Sequence, residues 1–268
     1  MGTRLKDKVA IVTGGGQGIG KAIGKAFVQE GATVVLAART LSNLEAAVKE
    51  FQAMGGKAMA IQTDVSDEKQ VIRMISETIK AYGKIDILVN NSGIGGPTCN
   101  VVDMKLEEWN QILAIDLTGS MLCAREVLKH MIPRKSGIII NLGAEGGRSG
   151  DGRSGYPMRA GYCCAKMGVV GLTETLAQEV GEYHIRVNCI SAAAVKGDRF
   201  VRVITGRANA LGIPFEEALD REMRNYSLKR PTEEYELGNL AVFLASEESG
   251  AITGQTIVAH CGQHIPFR

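Results

Sequence analysis

The chain has 268 residues, 45% of them hydrophobic, and a formal net charge of +2 spread along its length. That is enough apolar material for a sizeable core and too little charge for a nucleic-acid or membrane surface. No apolar run approaches the roughly 18 residues of a membrane span. No secretory leader fits ahead of an apolar stretch that starts by Lys8, so the default address is cytoplasmic.

The elements alternate from the start. Lys8–Val12 (KVAIV) reads as a strand, and Lys21–Glu30 reads as an amphipathic helix with Ala22, Ile23, Ala26 and Phe27 inward. Between them lies Thr13-Gly14-Gly15-Gly16-Gln17-Gly18-Ile19-Gly20. A glycine run in that context is a pyrophosphate cradle: Gly14 allows the tight turn, Gly18 lets backbone approach a phosphate, and Gly20 lets helix and strand pack closely. Gly16, Gln17 and Ile19 complete the loop, whose free N–H groups at the helix start face the anion.

Further apolar stretches follow at Thr33–Ala37, Ala58–Ile61, Ile85–Val89, Gly137–Leu142, Arg186–Ile190 and Thr256–Ala259. The helices between them carry start signals. Ser42-Asn43-Leu44-Glu45 forms a capping box, Ser66 precedes Asp67 and Glu68, and Thr232 precedes Glu233 and Glu234. This alternation predicts an α/β fold: one doubly wound Rossmann-type domain over residues 1–268, a parallel sheet with helices on both faces. Two stretches break the rhythm, at about 143–160 and 194–227. The first contains the near-duplicate GRSG motifs at 147–150 and 152–155, and the second is helical but interrupted at Gly212 and Pro214. Both follow strand carboxyl ends, where ligands bind in open α/β sheets, so both are candidate substrate loops.

Tyr162 and Lys166 stand four residues apart and share one helix face. A phenol ordinarily titrates too high for acid–base work at neutral pH. At about 5 Å and an effective dielectric near 20, an ammonium favours the phenolate by roughly 3 kcal/mol.

The run Thr13–Gly20, Asp64-Val65, Asn90-Asn91-Ser92-Gly93, Tyr162–Lys166, Ile185–Asn188 (IRVN) and Ile252–Gln255 (ITGQ) together resemble the short-chain dehydrogenase/reductase family over nearly the whole chain. The resemblance implies a seven-stranded sheet and a nicotinamide cofactor. It places Asp64 and Val65 at the adenine, and Asn91, Ser92 and Gly93 along the ribose. It makes Tyr162 the acid–base, with Lys166 binding the nicotinamide ribose and tuning that tyrosine. It also implies a homodimer or homotetramer. Gly161, Ala165, Gly168 and Gly171 offer that helix small faces for packing.

Charge argues the cofactor. Ala37-Ala38-Arg39-Thr40 offers no carboxylate to the ribose hydroxyls, and Arg39 can pair with a 2′-phosphate, so NADP(H) is preferred, with NAD(H) as the alternative. No metal is expected: no CxxC pair or zinc spacing occurs among the six cysteines, and His260, Cys261 and His264 are explained as polar residues of a chain end.

Several positions depart from the family pattern. Ala144 stands where a catalytic serine follows the fifth strand, while counting back from Tyr162 gives Ser149; the five-residue disagreement equals the spacing of the GRSG duplicates. Losing an oxyanion-type donor costs about 3–4 kcal/mol, so Ser149 is the candidate replacement, with Ser154 beside it. Asp116 replaces the usual asparagine. It could pair with Lys166, or its backbone carbonyl could carry a proton relay. Ala192-Ala193 replace a Pro-Gly pair, leaving backbone contacts at Ala193 and Val195, and Val258–Gly262 lacks the usual acidic-Gly-Gly ending. The reading is an oxidoreductase interconverting a secondary alcohol and a ketone; the alternative is a degenerate cofactor-binding subunit. Arg148, Arg153 and Arg159 on the first loop, with Lys196, Arg199, Arg202 and Arg207 on the second, could attract an anionic substrate or form a solvated, locally paired surface.

Overall fold

The computed structural model describes residues 2–144, 155 and 157–263, with the side chains of 144, 199 and 210 excepted. Seven strands form one sheet: β1 (Val9–Thr13), β2 (Thr33–Ala38), β3 (Lys57–Gln62), β4 (Ile87–Asn90), β5 (Gly137–Ala144), β6 (Ile185–Ala192) and β7 (Thr256–Ala259). All neighbours are parallel and the order is β3-β2-β1-β4-β5-β6-β7. The strand order reverses between β1 and β4, which opens a crevice above their carboxyl ends.

Two apolar layers sandwich the sheet, and period-two alternation divides the strands between them. Ala10, Val12, Val34, Leu36, Ile87, Val89, Ile138 and Ile140 face one layer with Ile23, Phe27, Leu44, Phe51, Leu237 and Leu244. These last come from α1 (Gly18–Gln29), α2 (Leu41–Ala53) and α9 (Glu234–Ala245). Ile11, Val35, Leu88 and Ile139 face the other layer, with Met74, Ile75, Val127, Met131 and Leu176. Those side chains come from α3 (Glu68–Tyr82), α5 (Gly119–Arg134) and α6 (Ala160–Val180). α4 (Leu106–Leu113) runs into α5 through a π-helical turn, Ala114–Thr118.

The second irregular stretch folds as α7 (Asp198–Leu211) and α8 (Phe215–Met223), broken at Gly212, whose φ is 64°. These two helices bury a small cluster of their own, Ile204, Ala208 and Ala218, apart from the two main layers. Among the described residues no helix is long and apolar enough to cross a membrane.

The helix starts differ from the sequence expectation. α2 begins at Leu41 after Thr40, so Ser42 lies inside the helix and the box at Ser42–Glu45 does not form. α3 is capped by Asp67, which accepts from the N–H groups of Lys69 and Gln70, one residue later than Ser66 suggested. α9 is capped by Glu233 in a reciprocal box with Glu236. Thr232 is instead tied by its backbone to Ala194 and Lys196. At α3 and α9 carboxylates outcompete the hydroxyl that local pattern favours.

Candidate active site

The β1–α1 turn is shaped by backbone crowding. Gly14 has a φ of 64°, and a Cβ there would stand 2.7 Å from Asn91 Nδ2. A Cβ on Gly20 would lie 2.4 Å from both Gly14 O and Asn91 Nδ2. Asn91 is therefore a brace: its amide donates to the carbonyls of Thr13 (3.0 Å) and Gly14 (3.3 Å). The Thr13 hydroxyl accepts from the N–H groups of Asn91 and Ser92 and donates to Val89 O. At Gly16 a Cβ would stand 3.0 Å from Asn43 Cβ, and Gln17 Oε1 accepts from Asn43 Nδ2.

Gly18, also at positive φ, meets nothing nearer than Glu234 Oε1 at 3.7 Å. Gln17 gives α1 no side-chain cap, so the N–H groups of its first turn have no side-chain partner at that position. An uncapped helix start beside a side-chain-free loop fits a pyrophosphate.

Arg39 sits exposed just past β2, its carbonyl held by Gln62. Among the described residues its guanidinium has no ion pair. Asp64 Oδ1 accepts from the N–H and hydroxyl of Ser66, and Val65 is buried beside it, its side chain crowding Gly119. Across the crevice, Val195 bridges Thr232 just beyond Ala193.

The other half of the site is a buried charge cluster. Tyr162 lies near the start of α6, half-buried. Lys166 is buried one turn on; its ammonium donates to Leu142 O at 2.9 Å and stands 3.7 Å from Asp116 Oδ2. It also lies 5.9 Å from the centre of the Tyr162 ring. Asp116 is fully buried in the π-helical turn, and its Oδ1 accepts from Ile94 N at 2.8 Å. A Cβ on Gly93 would come within 2.9 Å of Oδ2, so this carboxylate holds the Gly93-Ile94 backbone as well as facing Lys166.

Sequence reading missed three features here. Arg159 stacks on the Tyr162 ring at 5.1 Å, a second cation beside the phenol. Asn141 accepts from Asn90 and donates to Thr173, a buried amide–hydroxyl chain linking β4, β5 and α6. Glu234 borders the phosphate end of the cradle. Only Arg159 carried a signal, its place three residues before the tyrosine.

One expectation needs correction. Gly161 and Gly168 do not present a bare face to a partner: a Cβ on Gly161 would meet Ile112 at 2.9 Å, and one on Gly168 would meet Leu117 at 2.6 Å. Ala165 is buried too, so these residues serve packing within the chain, and only Gly171 is open. On the insertion, the locally paired alternative holds for two of the cations. Lys196 pairs with Glu233 at 3.0 Å, and Arg207 pairs with Glu222. Ser149, Ser154, Arg148, Arg153 and His264 lie outside the described residues.

The IRVN and ITGQ segments are structural. Arg186 donates to the carbonyls of Leu244 and Ser246, and Asn188 exchanges hydrogen bonds with Ile252 O and Gln255 N, seating β7.

Residues 8–207 match the profile of the short chain dehydrogenase family. The chain belongs to that family. It is thus an oxidoreductase with a Rossmann-type fold. It is 34% identical to 3-oxoacyl-(acyl-carrier-protein) reductase FabG of Staphylococcus epidermidis, over 97% of this chain and all of that one. It is 36% identical to a 3-oxoacyl-(acyl-carrier-protein) reductase of Synechocystis sp., over 95% and 96%. Among solved structures, levodione reductase aligns with a TM-score of 0.88 at 30% identity, covering 97% of this chain and 98% of that one.

Proposed function

We propose that this short-chain dehydrogenase interconverts a secondary alcohol and a ketone with NADP(H) in preference to NAD(H). The observation that carries the reading is the convergence of two built features above one sheet. These are the uncapped glycine cradle at β1–α1 and the Tyr162 phenol beside the buried Lys166 ammonium. Gly14, Gly16, Gln17, Gly18, Ile19 and Gly20 would hold the pyrophosphate, Arg39 a 2′-phosphate, and Asp64 and Val65 the adenine. Asn91, Ser92 and Gly93 would line the ribose, with Ala193 and Val195 behind the nicotinamide.

When bound, that cofactor supplies or accepts a hydride. Tyr162 gives or takes the hydroxyl proton at its phenol oxygen. Lys166 holds positive charge beside that oxygen and contacts the ribose, while Asp116 and Leu142 O hold the ammonium in place. Ser149 is assigned the hydroxyl that polarises the substrate oxygen, in place of Ala144. Two of the named relatives are 3-oxoacyl-(acyl-carrier-protein) reductases, which supports a 3-oxoacyl group or similar ketone as substrate, and Arg159 beside Tyr162 supports an anionic group on it. The likeness to these relatives also supports a homodimer or homotetramer.

The test is nicotinamide absorbance against a panel of ketones and alcohols, with Tyr162→Phe and Ser149→Ala alongside. Tyr162→Phe is expected to lose turnover by about a thousandfold with cofactor affinity kept. Equal rates in wild type and Tyr162→Phe would overturn the reading. They would favour instead a cofactor-binding subunit without turnover, for which Ala144, Ala192 and the pairing of Lys166 by Asp116 speak.

A further inference from the structure

The phosphate end of the cradle holds one charge that the cofactor reading does not use. Glu234 is the first residue of α9, directly after its Glu233 cap, and its half-buried carboxylate reaches across the mouth of the β1–α1 turn. Its Oε1 is the first atom a Cβ on Gly18 would meet, at 3.7 Å, and it stands 3.0 Å from the same point on Gly197. Gln17 leaves the first turn of α1, which begins at Gly18, without a side-chain cap.

Among the described residues no hydrogen bond or ion pair holds this carboxylate. The charged groups around it are Asp198 at the start of α7, Lys21 on α1 and Glu233 beside it. Lys21, the one cation among them, opposes the repulsion from Asp198 but is engaged by Glu50 at 2.6 Å, and Glu233 is a further like charge. Burial first, then the like charge of Asp198, raises its pKa above the ordinary 4.5.

A helix N-terminus favours an anion, and the Glu234 carboxylate lies close to the start of α1. A pyrophosphate brings further negative charge to the same few ångströms. We propose that Glu234 gates dinucleotide affinity: ionised, its carboxylate opposes the pyrophosphate at the α1 N-terminus, and protonated it does not. This rests on the cofactor reading above and adds to it a proton-linked determinant of binding strength.

The test is calorimetric titration of wild type, Glu234→Gln and Glu234→Ala with NADPH, NADH and adenosine 2′-monophosphate from neutral to mildly acidic pH. At neutral pH both variants bind NADPH and NADH about tenfold more tightly than wild type. The gap closes as pH falls, because wild-type affinity climbs as Glu234 protonates, beginning above the range of an ordinary glutamate. Adenosine 2′-monophosphate, which has no pyrophosphate, binds all three alike. Unchanged dinucleotide affinity in both variants overturns the gate alone, as does an equal gain for adenosine 2′-monophosphate. Failure of wild type and variants to bind any dinucleotide overturns the cofactor reading together with it.

Discussion

Around the β1–α1 turn the neighbours that hold the chain in place are backbone atoms and neutral side chains; around Tyr162 they are charges. Gly14 and Gly20 are confined by carbonyls and by the Asn91 amide, so the cradle is specified by the absence of side chains. Lys166 and Asp116 are confined by each other, by Leu142 O and by Ile94 N, so that half is specified by complementary ionisation. Steric confinement tolerates almost no substitution, since nothing in the backbone can give. Electrostatic confinement tolerates a change of group only while the counter-charge to the buried ammonium is kept.

The sharpest way to break this contrast is to remove the counter-charge. Asp116→Leu and the near-isosteric Asp116→Asn both leave the Lys166 ammonium buried without a carboxylate, and each is expected to destabilise the fold by about 3–5 kcal/mol. Urea unfolding of the two variants decides it: equal losses assign the cost to the lost charge, and a loss confined to Asp116→Leu would mean that shape and hydrogen bonding at this position outweigh its charge.

On the steric side, Gly20→Ala pushes a methyl into Gly14 O and should cost about 3 kcal/mol by the same measurement. A loss well under 1 kcal/mol would show the turn to be adjustable.

A third test uses a charge cluster away from the site. Asp86 accepts from Val9 N at 2.8 Å and pairs with Lys84 at 2.9 Å and Arg134 at 2.5 Å. Burial opposes its ionisation, but the hydrogen bonds from Lys84, Val9 and Arg134 outweigh it and hold its pKa below 3.8. Its contribution is therefore present above the unfolded value and is lost as pH falls through the folded one. Asp86→Asn is expected to cost about 2 kcal/mol near neutral pH. The gap to wild type should shrink in acid, and a gap constant with pH would assign the loss to packing.

The smallest effect is expected at Gly171, where a Cβ meets nothing within 4 Å. Gly171→Ala should stabilise α6 by about 0.5–1 kcal/mol, read as a rise in melting temperature. A loss instead would mean that a partner subunit occupies that face.

Much of the fold was legible because parallel strands buried on both faces read as apolar runs, and the predicted runs recur in β1 to β7 with ends shifted by one or two residues. The glycine run and the Tyr162–Lys166 spacing were legible because each is local. Helix caps were read less well. Thr40, Asp67 and Glu233 took roles that nearby serines and a threonine seemed to claim, and which group wins depends on where the preceding chain arrives. The small residues of α6 were misjudged for a related reason: their spacing marks close packing but does not name the partner, which proved to be Ile112 and Leu117 of the same chain.

Periodicity, turn glycines and the i to i+4 pair are properties of neighbouring residues, so the sequence by itself determined the alternating α/β order, the cradle and the shared face of Tyr162 and Lys166. The sheet order, the seating of Asp116 opposite Lys166 and the approach of Glu234 to Gly18 join residues 50 to more than 200 positions apart. Only the tertiary structure decided these, because contacts between distant segments depend on how whole layers pack, and no local pattern encodes that distance.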